Sequence, residues 1–423
     1  MLAALALLSL LDPAPAPPPA SPAPPETPPT NAPAPPVAGA PTTPPAPPLP
    51  APPATAEPEP APPAPAVAPP SLNPDLSLIA DVAAAWFAQK EPRQSGEHDP
   101  RNNGFTLQQL ELAASAAVDP YFRFDSFIVF KVPRPDGEAG GVEIEEAYAT
   151  TTSLPGNLQL RAGQFLTRFG RFNATHPHTW DFIDQPFMIG RVFGGDGNRG
   201  LGVELSYLAP LPWFVELLAS VTHDSAVAIH QAGQLQATLG VRQFFALSDD
   251  WSLLWGLSGQ GGTDPTLTTD PDARALLGGS DVYLKYRPLG EASATIVSLQ
   301  AEWFFRRRTL DGMALTDTGG FASLFWRFAQ RWALAGRYEL GTPSRNSDGV
   351  VQARCAPDEP TCLDLSWTST RQRVAGNVTF WPTEFSRLRL QGAADVASWQ
   401  EKTGWSAMLA FEFAVGAHGA HAF

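Results

Sequence analysis

A regular alternation of apolar and polar residues begins after Pro74 and continues almost to the end of the chain. In its first segment Leu76 and Trp86 share one parity, whereas Ser77 and Asp81 share the other. A period of two is typical of a β-strand with one apolar and one polar face. The pattern recurs in about sixteen segments of roughly ten residues each, as in barrels that cross a membrane. The sequence therefore predicts an all-β fold.

The connections between these segments alternate in length. Seven are tight turns, and six of them contain Pro, Gly, Asn or Asp, as residues 154–157 do. The longer ones cover residues 88–103, 133–141, 166–199, 223–233, 261–279, 306–319, 341–366 and 396–404. We therefore predict a transmembrane antiparallel β-barrel of about 16 strands, with short turns at one end, long loops at the other and both chain ends in the periplasm.

Charged residues within the segments are sorted by parity. Nearly all of them share the polar parity, and only Glu146 clearly breaks the pattern. A charge that faces lipid costs about 2–4 kcal/mol near the membrane midplane, so the sorting predicts a polar lumen. A soluble sandwich or propeller is the alternative, but its apolar faces would have nothing to pack against. Aromatic residues flank the short turns, where an interfacial girdle is expected; they are Tyr121, Trp213, Trp251, Trp332 and Trp381.

The first 72 residues differ in composition from the rest. Residues 2–11 form an apolar run that is too short to span a bilayer but fits the core of a signal peptide. Of the 46 prolines, 28 lie between Pro13 and Pro70. A disordered apolar N-terminus is the alternative to the signal peptide. We predict a signal peptide over 1–16, a disordered, periplasmic Pro/Ala-rich segment over 17–72 and the barrel over 73–423.

Net charge and cysteine content restrict the partners. The formal net charge is −14 and there is no basic cluster, which argues against nucleic acid as a partner. Cys355 and Cys362 are the only cysteines, and in an exported protein such a close pair predicts a disulfide. A metal site is the weaker interpretation, because two thiolates alone make a poor zinc site.

Short motifs resemble known outer-membrane families. Residues 160–165, Leu-Arg-Ala-Gly-Gln-Phe, with Phe169-Gly170 resemble a stretch of the phosphate-selective porin O and P family. That resemblance implies a 16-stranded porin, and the porin architecture implies a homotrimer. Phosphate does not carry over, because lysines are scarce. The motifs at 73–75 and 176–178 and the Gly-Ala-His ending resemble uncharacterised deltaproteobacterial outer-membrane proteins that are sometimes labelled zinc-regulated receptors.

The last strand, residues 405–415, and the terminal Phe423 resemble the signal that the barrel assembly machinery reads. A barrel of sixteen strands is wide enough for an aqueous channel, and long connections are usually functional. We expect an outer-membrane channel for passive diffusion of small polar or ionic solutes, surrounded by lipid and constricted by the loop at 166–199. The residues predicted to line the pore are Arg123, Asp125, Arg161, Arg168, Arg171, Asp181, Asp184, Arg191, Arg199, Glu302, Arg337, Glu339, Arg371, Arg373, Arg387 and Arg389.

Basic residues near the end of the chain are predicted to lie on one wall of the lumen. Folding the fourteenth and fifteenth strands about Thr383 places Arg371 opposite Asp395. Basic and acidic residues balance over the whole wall, so local arrangement must decide selectivity. We expect a transverse field between the loop and a basic track of Arg371, Arg373, Arg387 and Arg389. The alternative is that these arginines only pair with nearby carboxylates.

Other functions compete with a channel. His176 and His178 lie close to Asp181 and Asp184 on the long loop, and His223 begins the next one. Imidazole with carboxylate suits zinc, so a metal receptor that uses His176 and His178 is the first alternative; otherwise no cofactor is expected. A structural anchor is the second, because an extended Pro/Ala-rich segment is long enough to reach the cell wall. An enzyme is not expected, since no Gly-x-Ser-x-Gly elbow occurs.

Overall fold

A closed barrel of sixteen antiparallel strands forms the folded part of the protein. Each strand pairs with its neighbours in the chain, and β1 pairs with β16. This confirms the all-β fold and the predicted strand number. Within the part of the chain that the structure describes, no helix is long and apolar enough to cross a membrane. The computed structural model describes residues 74–90, 92–132, 140–224, 234–266, 273–289, 294–310, 312–351, 367–397 and 402–416.

Short helical segments accompany the strands. The connection between β5 and β6 contains one helix, α1 (Phe187–Phe193), and a 3-10 turn at Pro177–Thr179; another 3-10 turn, Pro155–Asn157, precedes β5. The strands are β1 (Asp75–Phe87), β2 (Gly104–Ala117), β3 (Phe122–Lys131), β4 (Gly141–Thr151), β5 (Leu158–Leu166), β6 (Arg199–Leu208), β7 (Phe214–Asp224), β8 (Leu235–Ala246), β9 (Trp251–Thr263), β10 (Arg274–Tyr286), β11 (Ile296–Leu310), β12 (Met313–Ala329), β13 (Trp332–Gly341), β14 (Arg371–Thr383), β15 (Ser386–Ala397) and β16 (Gly404–Gly416).

The two faces of the strands differ as the alternation predicts. On β1, Leu76 and Trp86 are 49% and 54% exposed, whereas Asp81 is 1% exposed. Exposed Leu, Val, Phe and Trp side chains cover the outside of the other strands in the same way. Because successive side chains of a strand point to opposite faces, the polar parity forms the inner wall of the barrel.

Aromatic residues beside the short turns are exposed at four of the five predicted positions. The exception is Trp381, which is half-buried. The guanidinium carbon of Arg327 lies 4.9 Å from the centroid of its ring. Trp381 therefore contacts a charged residue of the inner wall. The four exposed residues are Tyr121, Trp213, Trp251 and Trp332.

The prediction of a long connection over residues 306–319 is wrong. β11 and β12 continue into this segment and meet at a tight turn, where Gly312 has a φ of 73° that favours glycine. Arg306 is buried on the inner wall and forms a salt bridge of 3.1 Å with Asp317 on β12. The three consecutive arginines at 306–308 suggest a solvated loop. Asp317, across the hairpin, neutralises the inward-facing Arg306. The connection predicted over 261–279 is also shorter, because both flanking strands extend into it.

A β-bulge explains the one charge that breaks the predicted alternation. The pairing of β3 with β4 shifts, so that Phe127 lies opposite Glu146 and Ile128 lies opposite Ile144. The extra residue, Glu145, and its neighbour Glu146 are both buried. A bulge re-aims side chains in this way. Glu146 is therefore not an outward-facing charge, contrary to the parity of a regular strand.

The register between β14 and β15 differs from the predicted one by two residues. Arg373 lies opposite Asp395, and Arg371 lies opposite Ala397. The pairing becomes irregular next to Thr383, so a fold about that residue alone does not give the register. A shift of two residues keeps the same side chains on the same face. The arginines of these strands accordingly remain on the inner wall.

The interior is not wholly polar, contrary to the prediction of a polar lumen. Helix α1 packs inside the barrel beside β12 and β13, and its apolar residues share a buried cluster with residues of β10, β11 and β12. On β11, Phe304 is buried while its neighbours Trp303 and Phe305 are exposed on the outer face. This apolar packing fixes the helix on one side of the interior. The cluster consists of Phe169, Phe187, Met188, Ile189, Val192, Phe193, Leu277, Phe304, Phe321 and Trp367.

Several predictions concern residues outside the described part of the chain. They are the signal peptide, the Pro/Ala-rich segment, the disulfide between Cys355 and Cys362 and the role of Phe423. All of these stay predictions.

Candidate functional site

The connection between β5 and β6, residues 167–198, lies inside the barrel and is called the inner loop below. The N–H of Thr167 donates to the carbonyl oxygen of Asn198 at 2.8 Å, which joins the two ends of the loop. Asp184 and Arg191 are almost fully buried within it. Burying a charged group is costly unless it is paired and hydrogen-bonded. The inner loop therefore depends on polar partners in the wall around it.

Arginines on β15 bind carbonyl groups of the inner loop. Arg387 donates to the carbonyl oxygens of His178 and Trp180 at 2.7 and 2.9 Å. Arg389 donates to the carbonyl oxygen of Phe182 at 2.8 Å. Hydrogen bonds to a charged donor are stronger than neutral ones. These contacts fix the path of the loop through its main chain.

Carboxylates of the wall bind N–H groups of the same loop. Glu302 on β11 accepts the N–H of Phe172 at 2.6 Å. Glu339 on β13 accepts the N–H of Phe187 at 2.5 Å and is paired with Arg337 at 2.8 Å. Phe187 begins α1, and the first N–H groups of a helix have no partner within it. The wall thus satisfies both kinds of main-chain group in the loop.

Asp184 lies at the centre of this network. Its carboxylate forms a salt bridge of 2.6 Å with Arg337 on β13 and another with Arg373 on β14. Gln391 on β15 donates to it at 2.8 Å, and Gln94 donates at 3.2 Å. Burial alone would raise the pKa of Asp184, but the charges of Arg373 and Arg337 outweigh it and hold the pKa below its usual value. One ionised side chain therefore joins the loop to three neighbouring strands.

A second carboxylate, Asp99, lies beside this network. It comes from the connection between β1 and β2 and accepts the N–H groups of Gly96 and Gln185 at 2.8 and 2.9 Å. Burial and the negative charge of Asp184 raise the pKa of Asp99 to about 6. Asp99 thus fastens the inner loop to a second connection, and its protonation changes near neutral pH.

The basic residues beneath the inner loop are called the covered arginines: Arg337, Arg371, Arg373, Arg387 and Arg389. All are at most 8% exposed, and each forms a salt bridge with a carboxylate. Arg371, for example, pairs with Asp395 on β15, and Arg389 pairs with Asp81 on β1 at 2.7 Å. The structure brings the predicted basic track together and places it against the loop and these carboxylates.

Basic residues at the short-turn end of the barrel are in a different environment, and we call them the rim residues: Arg123, Lys285, Arg287 and Arg327. Arg123 and Arg287 are exposed, and Lys285 and Arg327 are half-buried. A cavity of about 470 Å³ opens at this end of the barrel. The charged residues that line it are Arg123, Asp125, Arg161, Arg168 and Glu204.

Other residues predicted to line the pore also have defined contacts. Arg161 and Arg168 share Glu204, at 3.2 and 2.8 Å. The guanidinium of Arg171 lies 4.0 Å from the ring centroid of Tyr283 on β10. Their role as pore-lining residues stays a prediction.

The remaining three lie on or beside the inner loop. Arg191 in α1 donates to the carbonyl oxygen of Thr342 at 2.5 Å. Arg199, which begins β6, lies 3.6 Å from Asp196. Asp181 is half-buried, and burial raises its pKa. None of the three faces the cavity at the short-turn end.

The histidines predicted as metal ligands meet a different set of carboxylates from the one expected. His176 Nδ1 lies 3.2 Å from Glu145 and 3.5 Å from Glu111. His178 Nδ1 lies 3.8 Å from Glu111. Asp184 is bound to arginines and does not join this cluster. The rings of His176 and His178 also stack on each other, with centroids 5.7 Å apart.

Sequence reasoning missed the partners that other connections and the bulge supply. Gln94 and Asp99 belong to the connection between β1 and β2, and the sequence predicts only that this connection is long. The alternation places Glu111 and Glu145 on the inner wall but does not indicate that they meet the histidines. A signal was available at Glu145-Glu146, because two adjacent acidic residues in a strand with one apolar face indicate a bulge.

Comparison with known proteins supports the fold. No protein-family model matches the sequence. An uncharacterised protein of Aquifex aeolicus is 28% identical over 406 residues, which are 83% of this chain and 80% of that protein. The outer membrane channel DcaP of Acinetobacter baumannii has a TM-score of 0.54 at 14% identity, over 81% of this chain and 97% of that one. Pseudomonas putida OprB has a TM-score of 0.54 at 13% identity, over 81% and 94%. The chain therefore has the closed-barrel fold seen in DcaP and OprB.

Proposed function

We propose that the protein is an outer-membrane channel of the porin type, through which small polar or ionic solutes diffuse passively past the inner loop. The observation that carries the proposal is the fastening of that loop inside the barrel by buried ion pairs, above all Asp184 with Arg337 and Arg373. A loop held at so many points narrows the interior at a fixed place. The apolar outer face of the strands suits contact with lipid.

The rim residues favour one sign of charge in the solute. Four basic side chains lie at the short-turn end, and one of them, Arg123, lines the cavity of about 470 Å³ there. Charged side chains around a pore tune which ions enter it. The cavity also contains Asp125 and Glu204, so its charge is mixed. We therefore expect a weak preference for anions.

The proposal includes no catalytic activity. It adopts the predicted outer-membrane location, periplasmic chain ends and homotrimer. It also adopts the predicted recognition by the barrel assembly machinery. A cell-wall contact through the Pro/Ala-rich segment is compatible with a channel, because that segment precedes the barrel.

Conductance of the full-length protein in planar lipid bilayers tests the proposal. Folded protein should add current in uniform steps, and vesicles that contain it should swell in small sugars but not in large ones. Protein that was unfolded by heating before addition is the control. Folded protein, recognised by its heat-modifiable migration on gels, that gives neither current steps nor swelling would contradict a channel.

A further inference from the structure

A buried group of histidines and glutamates lies between the inner loop and the strands β2 and β4. His176 comes from the inner loop, Glu111 from β2 and Glu145 from β4. One ligand atom of each lies within 4.8 Å of the others. Glu111 is fully buried, and His176 and Glu145 are 8% and 5% exposed. The fold thus brings imidazole and carboxylate groups from three distant parts of the chain to one place.

Irregularities in two neighbouring strand pairs form this place. The bulge in β4 turns Glu145 and Glu146 inward together. A second bulge in β2 shifts its pairing with β1, so that Gln108 and Gln109 are both buried. Bulges often occur beside functional sites, because they re-aim side chains. Here two of them flank His176.

The hydrogen bonds around His176 orient its ring. Its Nε2 lies 3.2 Å from Glu146 and is placed to donate a proton to that carboxylate. Phe127 on β3 stacks on the ring, with centroids 4.4 Å apart. A histidine that binds a metal commonly donates its other N–H to a carboxylate, which fixes the tautomer. In that tautomer the lone pair of Nδ1 points toward Glu111 and Glu145.

Three electron-pair donors therefore converge. Nδ1 of His176 lies 3.2 Å from Oε2 of Glu145 and 3.5 Å from Oε2 of Glu111. A single proton on Nδ1 can bridge to one of these oxygens but not fully to both. The other oxygen of Glu111, Oε1, has no hydrogen-bond partner among the described residues although it is buried. Buried carboxylate oxygens without partners are costly, so a cation bound beside Glu111 would stabilise this arrangement.

Two of the three ligand spacings fit a metal ion, and the third, between Glu111 and Glu145, is within 4.8 Å. Bonds from zinc to imidazole nitrogen or carboxylate oxygen are about 2.0–2.2 Å long, so neighbouring ligand atoms of a tetrahedral site lie roughly 3.3–3.6 Å apart. The two distances from Nδ1 are close to this range. A cavity of about 20 Å³ adjoins His176 and Glu145, and a volume of that size holds one water molecule. A water molecule in this cavity would lie beside two of the three proposed ligands.

Groups around the ligands complete the arrangement. Gln109 donates to Glu111, and His98 Nε2 lies 3.3 Å from Glu145. His98 is thus a hydrogen-bond partner of that carboxylate, in addition to the proposed ligands. Such outer contacts typically orient metal-binding carboxylates.

We propose that His176, Glu111 and Glu145 bind a divalent transition-metal ion that fastens the inner loop to β2 and β4. Imidazole with carboxylate favours Zn²⁺ and related ions over Mg²⁺ or Ca²⁺. The ion would connect to β2 and β4 the same loop that Asp184 joins to β13, β14 and β15. This inference does not depend on conduction, since a barrel that binds the ion and passes no current would still satisfy it.

Titration of the full-length protein with Zn²⁺ and with Co²⁺ tests the inference. After removal of metals with a chelator, calorimetry should show one Zn²⁺ bound per chain, and bound Co²⁺ should give the visible absorption of a four-coordinate nitrogen and oxygen site. His176→Ala and the conservative Glu111→Gln should each weaken binding about 10-fold or more. Each variant is first shown to fold by heat-modifiable migration.

Two matched controls remove other histidines. His223→Ala changes a strand histidine outside the cluster, and His418→Ala with His421→Ala removes the two near the C-terminus. Both should bind Zn²⁺ as the unchanged protein does. The inference is overturned if the unchanged protein binds neither ion, or if His176→Ala and Glu111→Gln bind as tightly as it does. In that case the cluster is a network of protonated histidines and carboxylates only.

Discussion

The covered arginines and the rim residues occupy the same face of the strands but differ in their exposure to solvent and in their partners. Arg389, beneath the inner loop, is 1% exposed and bonds to Asp81 and to loop carbonyls. The side chain of Arg123, at the rim, is 57% exposed and contacts Asp125. A buried guanidinium needs its partners, whereas an exposed one is solvated and remains accessible to ions. Coverage by the loop therefore decides whether an inward arginine has a structural role or is accessible to a solute.

Removing the central carboxylate beneath the loop should have the largest effect. Asp184→Ala leaves the guanidinium groups of Arg337 and Arg373 buried without their main partner, and breaking a buried pair in this way costs about 3–5 kcal/mol. We expect the inner loop to leave its position and the single-channel conductance to rise several-fold with added noise. The control is Asp125→Ala at the rim, which should change conductance much less. Equal conductance of Asp184→Ala and the unchanged protein would show that the loop does not limit the current.

Neutralising the rim should change selectivity rather than conductance. In Lys285→Gln with Arg287→Gln and Arg327→Gln, the loss of three positive charges should shift the reversal potential in a salt gradient toward cations. Arg307→Gln is the control, because Arg307 is exposed on the outer face of β11. A shift of the same size in that control would mean that the rim does not face the pore.

The pH dependence should be smaller and should come from Asp99. Its pKa of about 6 in the folded protein lies above the ordinary value, so the folded state binds the proton more tightly. The resulting stabilisation is complete below the ordinary pKa and is lost as the pH rises through about 6. Thermal unfolding should therefore occur at a lower temperature at about pH 7 than at about pH 5. Asp99→Asn should remove this part of the dependence, and an unaltered pH profile in that variant would refute the assignment.

The smallest effect is expected for an exposed ion pair at the rim. Arg123→Gln breaks the contact with Asp125, and exposed pairs contribute about 0–1 kcal/mol. Arg337→Gln removes a partner of Asp184 and should cost several times more. Denaturant unfolding of the two variants measures this difference directly. Similar losses of stability would contradict the distinction between covered and rim residues.

Much of the fold could be predicted because its determinants are local. The parity of Leu76, Ser77 and Asp81 is set by the two-residue repeat of a strand, and the structure confirms it. The hairpin around Gly312 could not be predicted in the same way. Its arginines become strand residues only because Asp317 neutralises Arg306 from the partner strand.

The candidate site was harder to predict from the sequence, because it depends on contacts between distant parts of the chain. Asp184 and Arg337 are 153 residues apart in sequence. Nothing near Arg337 distinguishes it from Arg327, although only the first lies beneath the loop. The bulge at Glu145 is similar, since one extra residue in β4 redirects two carboxylates toward His176. Parity identifies which residues face inward, and only packing identifies what they meet there.

Apart from the side-chain contacts of Asp184, Arg191 and His176, much of the bonding between the wall and the inner loop goes to the loop's main chain. Arg387 and Arg389 bind carbonyl oxygens, Glu302 and Glu339 bind N–H groups, and none of these bonds specifies a side chain of the loop. Substitutions at loop positions other than Asp184, Arg191 and His176 can therefore alter the loop's chemistry while its path is preserved. The same barrel is suited to accept loops of different sequence, so that new solute preferences can evolve, or be engineered, without rebuilding the sixteen strands.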